Sequence, residues 1–533
     1  MSPADASERL TVTAAPEPPL PARPAEPRRH EGEVRGFRAA DGLRVFVLVS
    51  LVIGLLLAAA PAPLAAGADS AGPLDLGRID AYLRAQRGRH SFPGVAVGVV
   101  EGDRIVHLAA FGAGITPQTP LVLASVSKPL TATAVMQLVD GGSIDLDAPV
   151  VTYLPEFRVA DALASRRITV RQLLNHTSGL PPSACEIEAP TIERFVASLR
   201  DVRLDRPVGS RYEYCSGNYI VLGMVVQRVS GLSYAAYMER RVFSPLDMTR
   251  SHATVSGAVG DGVGHGHHWL FGATVTDDFF NPSGAPAGYL VSSAENMCHF
   301  LLAHLNAGRY GTASVLTDRA VNLMHAPSVD MGGGQSYGLG WVTGDQGGVP
   351  AVYHYGTNYN VETFVVLEPQ TGRGAVLLVN TQGLLAASAV RNVEEGLSRL
   401  LDGREPPSPA ASVHLVYLVA DTLFLLLLAA LVVPLARLRR WRRSPDRLRH
   451  RRRAWARAVV ECGGGLLIVG GLRFVFVQLG ANWFEMLRSA PDVVPAILLL
   501  GVLLASGGVA RSVLLLRGPA PGATSSIEPG RSA

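Results

Sequence analysis

The hydrophobic residues of this 533-residue chain are distributed unevenly, and the chain is too long to bury a single ordinary core. Four segments are almost continuously apolar: 45–60, 413–436, 458–480 and 491–516. Residues 74–404 instead show short apolar runs such as Gly94 to Val100, helical stretches such as Pro129 to Asp140, and frequent Gly and Pro. The pattern predicts one globular domain of mixed helices and strands, flanked by membrane segments.

The amino-terminal region divides into two parts. Residues 1–44 are rich in Pro, Ala and Arg without apolar periodicity, which predicts a disordered cytoplasmic leader. Residues 45–68 begin with an apolar run preceded by arginines and end in Ala66-Gly67-Ala68, the small-residue form of a signal cleavage site. Both a cleaved export signal and an uncleaved membrane anchor fit this segment.

The carboxy-terminal region predicts membrane topology. A Pro- and Ser-rich linker at 405–412 precedes three predicted transmembrane helices at 413–516, and 517–533 form a predicted disordered cytoplasmic tail. The loop between the first two helices holds 11 Arg and one acid, Asp446, so the positive-inside rule places that loop in the cytoplasm. The basic flank before residue 45 gives the same orientation independently. We therefore predict a multi-pass protein of the cell membrane whose 74–404 domain is extracytoplasmic.

Two charged residues lie inside the predicted membrane helices. Asp421 and Arg473 are each a few turns from the outer end of their helix, which puts both at a depth of roughly 10 to 12 Å. We expect a structural ion pair between the two helices and no transport function.

The charged residues single out one position. Of the 48 Lys and Arg residues, 47 are Arg and only Lys128 is Lys. A guanidinium is effectively never deprotonated, whereas a buried or charge-flanked ammonium can release its proton near neutral pH. Lys128 is therefore the one Lys or Arg side chain of this chain suited to act as a general base.

Lys128 also falls in a chemical motif, the S-x-x-K of Ser125-Val126-Ser127-Lys128. The segment that follows reads as a helix, which puts Ser125 and Lys128 on one face, and Pro129 is tolerated in its first turn. At a helix amino terminus, Ser125 has backbone N–H groups and the positive end of the dipole available for an oxyanion. Alone the motif is weak, and its meaning depends on what accompanies it.

Two further motifs follow, Tyr214-Cys215-Ser216 and His354-Tyr355-Gly356-Thr357. In order and approximate spacing, the three motifs resemble the S-x-x-K, Y-x-N and K-T-G or H-x-G of class C β-lactamases, DD-carboxypeptidases and related esterases. The resemblance covers about residues 74–400. It is also carried by Phe92-Pro93-Gly94, Leu173-Leu174-Asn175-His176-Thr177-Ser178-Gly179-Leu180, Pro245-Leu246-Asp247-Met248, Pro286-Ala287-Gly288-Tyr289-Leu290 and Gly338-Leu339-Gly340-Trp341.

The resemblance implies a fold of the α/β (α+β) class. The domain would be β-lactamase/transpeptidase-like, with an antiparallel sheet flanked by helices, a helical lobe and an active site at their junction. An all-α transmembrane segment would follow.

The resemblance also implies roles for individual residues. Ser125 would be acylated, Lys128 would take its proton, and Tyr214 would relay that proton to the leaving group. The backbone N–H groups of Ser125 and Thr357 would form the oxyanion hole.

The remaining motif positions would contact substrate. Gly356, Thr357 and His354 belong to the third motif, and His354 stands where many relatives have Lys. A His at this position can hydrogen-bond the tyrosine or help to hold a substrate carboxylate. Ser216 departs from the family, which usually has Asn there, so the amide contact with a β-lactam or peptide would be lost or mediated by water.

Other candidate sites are weaker. Gly264-His265-Gly266-His267-His268 has no Cys or carboxylate partner at a known ligand spacing, so we expect a surface loop, no metal and no cofactor. The sequence leaves three roles open for Cys215: a small core residue, a reactive thiol, or a disulfide partner of Cys185. The clustered arginines indicate membrane topology and no nucleic-acid partner. The oligomeric state is not determined by the sequence.

The sequence thus predicts a membrane-anchored extracytoplasmic serine hydrolase that acts on an amide or ester through a Ser125 acyl-enzyme. The implied activity is that of a DD-carboxypeptidase or β-lactamase on cell-wall peptides. One alternative is an esterase of the same family that acts on small acyl esters or lipids. Another is a non-catalytic sensor or scaffold that binds penicillin or a cell-wall fragment.

Overall fold

The computed structural model describes residues 73–112, 114–186, 189–442, 451–478 and 483–517. The predicted leader (1–44), the export signal or anchor (45–68) and, apart from Arg517, the predicted tail lie outside these residues. The described strands are β1 (Gly94–Glu101), β2 (Arg104–Gly112), β3 (Leu121–Val122), β4 (His267–Leu270), β5 (Ala273–Thr276), β6 (Val291–Ser292), β7 (Arg309–Tyr310), β8 (Ala313–Ser314), β9 (Val329–Gly332), β10 (Gln335–Tyr337), β11 (Val342–Gln346), β12 (Val349–Thr357), β13 (Glu362–Glu368) and β14 (Arg373–Val379).

Eight of these strands form one antiparallel sheet in the order β2-β1-β14-β13-β12-β11-β10-β9. β1, β13 and β14 are almost continuously apolar because both faces of the central sheet are covered. In β1, Val95 and Val97 enter the core on one face, whereas Ala96 enters the core on the other. Short strands pair elsewhere: β3 with β6, β4 with β5, and β7 with β8.

The described α-helices are α1 (Leu76–His90), α2 (Ser127–Asp140), α3 (Ala162–Ser165), α4 (Val170–Leu174), α5 (Ile192–Ser198), α6 (Gly217–Ser230), α7 (Tyr234–Tyr237), α8 (Val255–Gly260), α9 (Ala294–Leu305), α10 (Asp318–His325), α11 (Ala387–Leu401), α12 (Val413–Arg442), α13 (Arg451–Gln478), α14 (Trp483–Ser489) and α15 (Val493–Leu516). Helices α1 and α11 pack on one face of the sheet, and α9 packs on the other. The helical lobe is built around α2 and α6, which pack on each other, with α4 and α5 against α6.

Helix α2 lies at the centre of the lobe, and its first ten residues, Ser127 to Met136, are buried. The turn before α2 packs against β12 and β13, so the amino terminus of this helix lies where the lobe meets the sheet. The expected fold class is confirmed: an antiparallel sheet flanked by helices, a helical lobe and a carboxy-terminal helical segment.

Among the residues that the structure describes, three helices are long and apolar enough to cross a membrane, over Val413–Leu438, Arg451–Phe476 and Val493–Leu516. The second begins at Arg451, earlier than the predicted residue 458, because Arg is a good helix former and the basic stretch continues the helix. Part of the Arg-rich loop, residues 443–450, lies outside the described residues.

The expected ion pair between Asp421 and Arg473 is wrong: within the described part of the chain, neither residue forms a salt bridge. A salt bridge instead joins α13 to α15, where Glu461 Oε2 lies 2.8 Å from Nε of Arg511. Glu461 also pairs with Arg457 one turn earlier, at 2.9 Å. Equal depth along two helices does not bring them into contact, because α12 and α13 each pack on α15.

Candidate active site

Ser125 lies in a short 3-10 turn, Ala124–Val126, that leads directly into α2. Ala124 has a φ of 46°, in the left-handed region that residues other than glycine rarely adopt. Such backbone strain persists only where surrounding contacts fix the conformation, and it is frequent at functional sites. The turn holds Ser125 with its side chain partly exposed.

Lys128 is fully buried at 0% exposure, one helical turn beyond Ser125. Its Nζ lies 3.0 Å from Ser125 Oγ. Nζ also donates to Ser216 Oγ at 3.2 Å and to the carbonyl oxygen of Ala287 at 2.7 Å. Nζ is therefore surrounded by three oxygens, those of Ser125, Ser216 and Ala287. The arrangement therefore suits transfer of a proton from Ser125 to Lys128.

Tyr214 approaches the same oxygen from the second motif. Its hydroxyl donates to Ser125 Oγ at 2.8 Å, although the two residues are 89 positions apart in the chain. Its ring lies 4.8 Å from Lys128 Nζ, within the range of a cation–π contact. The structure thus brings four of the predicted site residues, Ser125, Lys128, Tyr214 and Ser216, into one hydrogen-bonded group.

His176 fixes the second motif, a role that sequence reasoning missed. Its buried Nδ1 accepts hydrogen bonds from the backbone N–H of Cys215 at 3.2 Å and from the Asn218 amide at 3.1 Å. Its ring lies 4.4 Å from the ring of Tyr214. Burial, and then the charge of Lys128, lower the pKa of His176 well below its ordinary value, so the ring stays a neutral acceptor. The only signal in the sequence was its place in a family segment.

Gly356 of the third motif lies where β12 passes the turn that carries Ser125. A Cβ at this position would be 2.1 Å from Thr363 Oγ1 and 2.7 Å from the Leu123 carbonyl oxygen, so glycine is required by the close approach. The next residue, Thr357, is exposed. The strand therefore places Thr357 beside the Ser125 turn.

His354 lies deeper on β12 and is 3% exposed. Its Nδ1 donates to the Tyr355 carbonyl oxygen at 2.6 Å, so Nε2 is the acceptor for the Tyr337 hydroxyl at 3.0 Å. Burial, and then the charge of Lys128, lower the pKa of His354 to about 3. A neutral imidazole at this position supplies no cation. In the described residues its tyrosine partner is Tyr337, and it makes no hydrogen bond to Tyr214.

A buried acidic group behind the third motif was also missed. Thr357 Oγ1 donates to Glu362 Oε2 at 2.7 Å, and Glu362 is buried at the start of β13. Burial, and then the neighbouring carboxyl of Glu394, raise the pKa of Glu362 to about 8. Glu394 is itself buried, and its Oε2 lies 3.2 Å from Nη1 of Arg391. The sequence signal, a Glu at the edge of an apolar strand, does not reveal these partners.

The other candidates lie apart from this group. His265 contacts Asp278 at 2.9 Å, and His267 donates from Nδ1 to the Asn380 carbonyl oxygen at 2.9 Å. Across the described residues, no group of three or more His, Cys, Asp or Glu is placed to hold a metal ion. Cys215 is fully buried, and the side chain of Cys185 lies outside the described part of the structure.

An eight-stranded antiparallel sheet and a helical lobe, with an S-x-x-K turn at their junction, form the β-lactamase/transpeptidase fold, and the family match makes the chain a serine hydrolase. Residues 79–397 match the Beta-lactamase family model, more than half of the chain, and the chain belongs to that family.

Individual relatives agree with this assignment. The chain is 31% identical over 337 residues to Penicillin-binding protein 4 of Amycolatopsis lactamdurans, a match that covers 58% of this chain and 86% of that protein. It is 26% identical over 320 residues to Protein flp of Staphylococcus aureus (strain N315), covering 57% of this chain and 62% of flp, less than two thirds of its length. Among solved structures, the octameric penicillin-binding protein homologue from Pyrococcus abyssi superposes with a TM-score of 0.55 at 24% identity, covering 62% of this chain and 78% of that one, which shows the shared fold.

Proposed function

We propose that this chain is a membrane-anchored hydrolase that cleaves an amide or ester through an acyl-enzyme on Ser125. The observation that carries the proposal is a pair of contacts at one oxygen atom. Ser125 Oγ lies 3.0 Å from Lys128 Nζ and 2.8 Å from the Tyr214 hydroxyl. A serine flanked by a base and a second proton carrier is the arrangement that nucleophilic catalysis needs.

The reaction proceeds in two halves. The Ser125 hydroxyl attacks the substrate carbonyl carbon, its proton passes to Nζ of Lys128, which acts as the base, and an oxyanion forms. The bond to the amine or alcohol then breaks, and the leaving group takes a proton through Tyr214. Water attacks the resulting ester of Ser125 by the same route, which releases the acid and restores the hydroxyl. Ser216 and the carbonyl of Ala287 hold Lys128 in place throughout.

Cell-wall peptides are the first candidate substrate, as in a DD-carboxypeptidase or a β-lactamase. Two facts support this choice. A relative 31% identical to the chain is named a penicillin-binding protein. The arginine-rich loop between the first two membrane helices favours an extracytoplasmic domain, on the side of the membrane where such peptides lie.

An ester substrate is the second candidate, and two features of the site favour it. His354 is buried and neutral, so the third motif offers no cation there for the free carboxylate of a peptide or a β-lactam. Ser216 has a single hydroxyl donor where an amide is usual in the family. An ester without a carboxylate needs neither group.

The test is intact-mass analysis of the full chain after exposure to a fluorophosphonate, a labelled penicillin and a short acyl ester. Ser125→Ala is the test variant, and Ser210→Ala, at an exposed serine, is the matched control. We expect adducts on the wild type and on Ser210→Ala and none on Ser125→Ala. The reagent that turns over distinguishes peptidase or β-lactamase from esterase. No adduct with any reagent would overturn the proposal in favour of a binding or sensor protein.

A further inference from the structure

The ends of two predicted membrane helices pack directly against the hydrolase domain. Trp269 of β4 stacks on Tyr417 in the second turn of α12, with ring centroids 5.8 Å apart. Asp492, the residue that caps α15, accepts a hydrogen bond from the backbone N–H of Phe271 at 2.7 Å. Both contacts are made at the first turn or two of helices that are long and apolar enough to cross a membrane. The β4–β5 hairpin therefore lies at the level of the bilayer surface.

The tip of this hairpin presents an apolar side chain beside those helix ends. Phe271 is 54% exposed and has a φ of 48°. The next residue, Gly272, is so close to α12 that a Cβ there would lie 3.3 Å from Tyr417 Cβ. Leu487 of α14 is 39% exposed. Exposed apolar groups at this depth are stabilised by contact with lipid.

Helix α14 connects the membrane segment to the rim of the site through Arg488. Its Nη2 lies 3.3 Å from Asp277 Oδ1, on the segment that follows β5. Its guanidinium carbon lies 3.7 Å from the ring centroid of Phe279 and 5.3 Å from that of Tyr359. A loop between two membrane helices thus holds side chains that belong to the hydrolase domain.

Those side chains form an aromatic ridge, consisting of Phe279, Tyr289 and Tyr359, all partly exposed. Phe279 lies 6.0 Å from Tyr289 and 5.5 Å from Tyr359, measured between ring centroids. Tyr289 follows Ala287, whose carbonyl contacts the lysine, by two positions. Tyr359 follows Thr357 by two positions. The ridge therefore runs from the membrane loop to the residues around Ser125.

We propose that the substrate is an amphiphile held in the leaflet beside the domain. Its hydrocarbon tail stays in the bilayer next to Phe271 and α14, and its headgroup, which carries the scissile ester or amide, lies along the aromatic ridge with its carbonyl at Ser125. This inference rests on the proposed Ser125 acyl-enzyme, and it adds that the substrate reaches the site from the membrane and not from the aqueous solution. Confining the substrate to the same surface raises its effective concentration at the site.

The test compares two fluorophosphonates on the full chain in lipid nanodiscs. One has a short chain and is dissolved in water, and the other has a hexadecyl chain and is embedded in the disc. Both lose fluoride as the Ser125 oxygen bonds to phosphorus, so intact mass follows the same step for each. The variants are Phe271→Ser and Arg488→Ala. Leu163→Ser is the matched control, because Leu163 is 67% exposed on α3 of the helical lobe.

The quantity measured is the ratio of the embedded to the soluble labelling rate. We expect the ratio to exceed about tenfold in the wild type and in Leu163→Ser, because the tail concentrates the reagent at the membrane. Phe271→Ser and Arg488→Ala should each lower it about fivefold. A wild-type ratio near one, or a ratio in both variants that equals the wild-type ratio, would overturn the inference while leaving the acyl-enzyme intact. Failure of both reagents to label Ser125 would overturn the proposed function itself.

Discussion

The Thr357 hydroxyl, exposed at the site, donates a 2.7 Å hydrogen bond to the carboxyl of Glu362, which is buried behind it. The charge on that carboxyl depends on the buried carboxyl of Glu394 and on the partly exposed guanidinium of Arg391, so the third motif is backed by a titratable cluster. Because burial raises the pKa of Glu362, the dependence of protein stability on pH tests whether this cluster is buried.

Glu362→Gln is expected to flatten the dependence of stability on pH. Because the pKa of Glu362 is raised from 4.5 to about 8, the folded chain holds the proton more tightly than the unfolded chain does. Its contribution to stability is therefore full below its ordinary pKa and is lost as the pH rises through about 8. Measured by differential scanning fluorimetry, the fall in Tm between pH 5 and pH 8 should be smaller in Glu362→Gln than in the wild type by about 2 °C or more. Glu239→Gln, at an exposed glutamate, should behave like the wild type, and an equal fall in all three proteins would contradict the assignment.

His354→Gln is expected to leave the pH dependence of the reaction in place. With its pKa lowered to about 3, His354 stays neutral across the range in which an ordinary histidine titrates. The rate of Ser125 labelling should therefore keep its inflections between pH 5 and pH 8 in the variant, whatever its absolute rate. If an inflection near pH 6.5 disappeared in His354→Gln, the imidazole would have to gain a proton in the reacting state.

Gly356→Ala is expected to abolish labelling of Ser125 or to prevent folding. The added methyl would lie 2.1 Å from Thr363 Oγ1 and 2.7 Å from the Leu123 carbonyl oxygen, so β12 or the Ser125 turn must move. We expect a loss of at least about 2 kcal/mol of stability, in the range of overpacked cores.

Gly88→Ala is the matched control for Gly356→Ala, because nothing lies within 4 Å of the added Cβ in α1. It should be neutral or stabilising by up to about 1 kcal/mol, since Ala favours a helix. Denaturant unfolding together with the labelling assay distinguishes the two variants. Equal stability of the Gly356→Ala and Gly88→Ala variants would show that β12 does not pack closely against the turn that carries Ser125.

Ser216→Asn is expected to speed acylation by penicillin. The longer side chain still offers an oxygen to Lys128, which now donates to Ser216 Oγ at 3.2 Å, and its amide adds donors on the substrate side. One recovered donor at the reacting carbonyl is expected to be worth about tenfold or more in the acylation rate. Stopped-flow labelling with a fluorescent penicillin measures it, with Ser210→Asn as control. A slower reaction in Ser216→Asn would mean that the hydroxyl is the group this site requires.

The chemistry-bearing residues were the most predictable part of the molecule. Ser125 and Lys128 are one helical turn apart, so local geometry fixes their contact once the helix is recognised. Tyr214 is 89 residues from Ser125 in sequence, and only the resemblance to a family predicted that the two would meet. The apolar runs indicated the three long helices and one run, Gly94 to Val100, that forms a strand of the sheet.

The residues that support the site were not predictable in the same way. His176 has a φ of 59°, in the left-handed region that residues other than glycine seldom adopt, and its partners come from another segment. Glu362 meets Arg391 and Glu394 only because α11 packs behind the sheet. Asp421 and Arg473 do not pair because their helices, α12 and α13, each pack on α15. In each case the partners of a residue depend on how separate helices and strands pack together, which no single segment of the sequence specifies.

Because Lys128 is buried and is the one lysine of the chain, its chemical modification can report when the active site opens. Apart from the amino terminus, the protein has one primary amine, and that amine is 0% exposed. A reagent directed at amines can reach it only when the side chains around Ser125 move apart. The rate at which such a reagent modifies Lys128 in the native protein therefore measures how fast this site opens, and no engineered probe is needed.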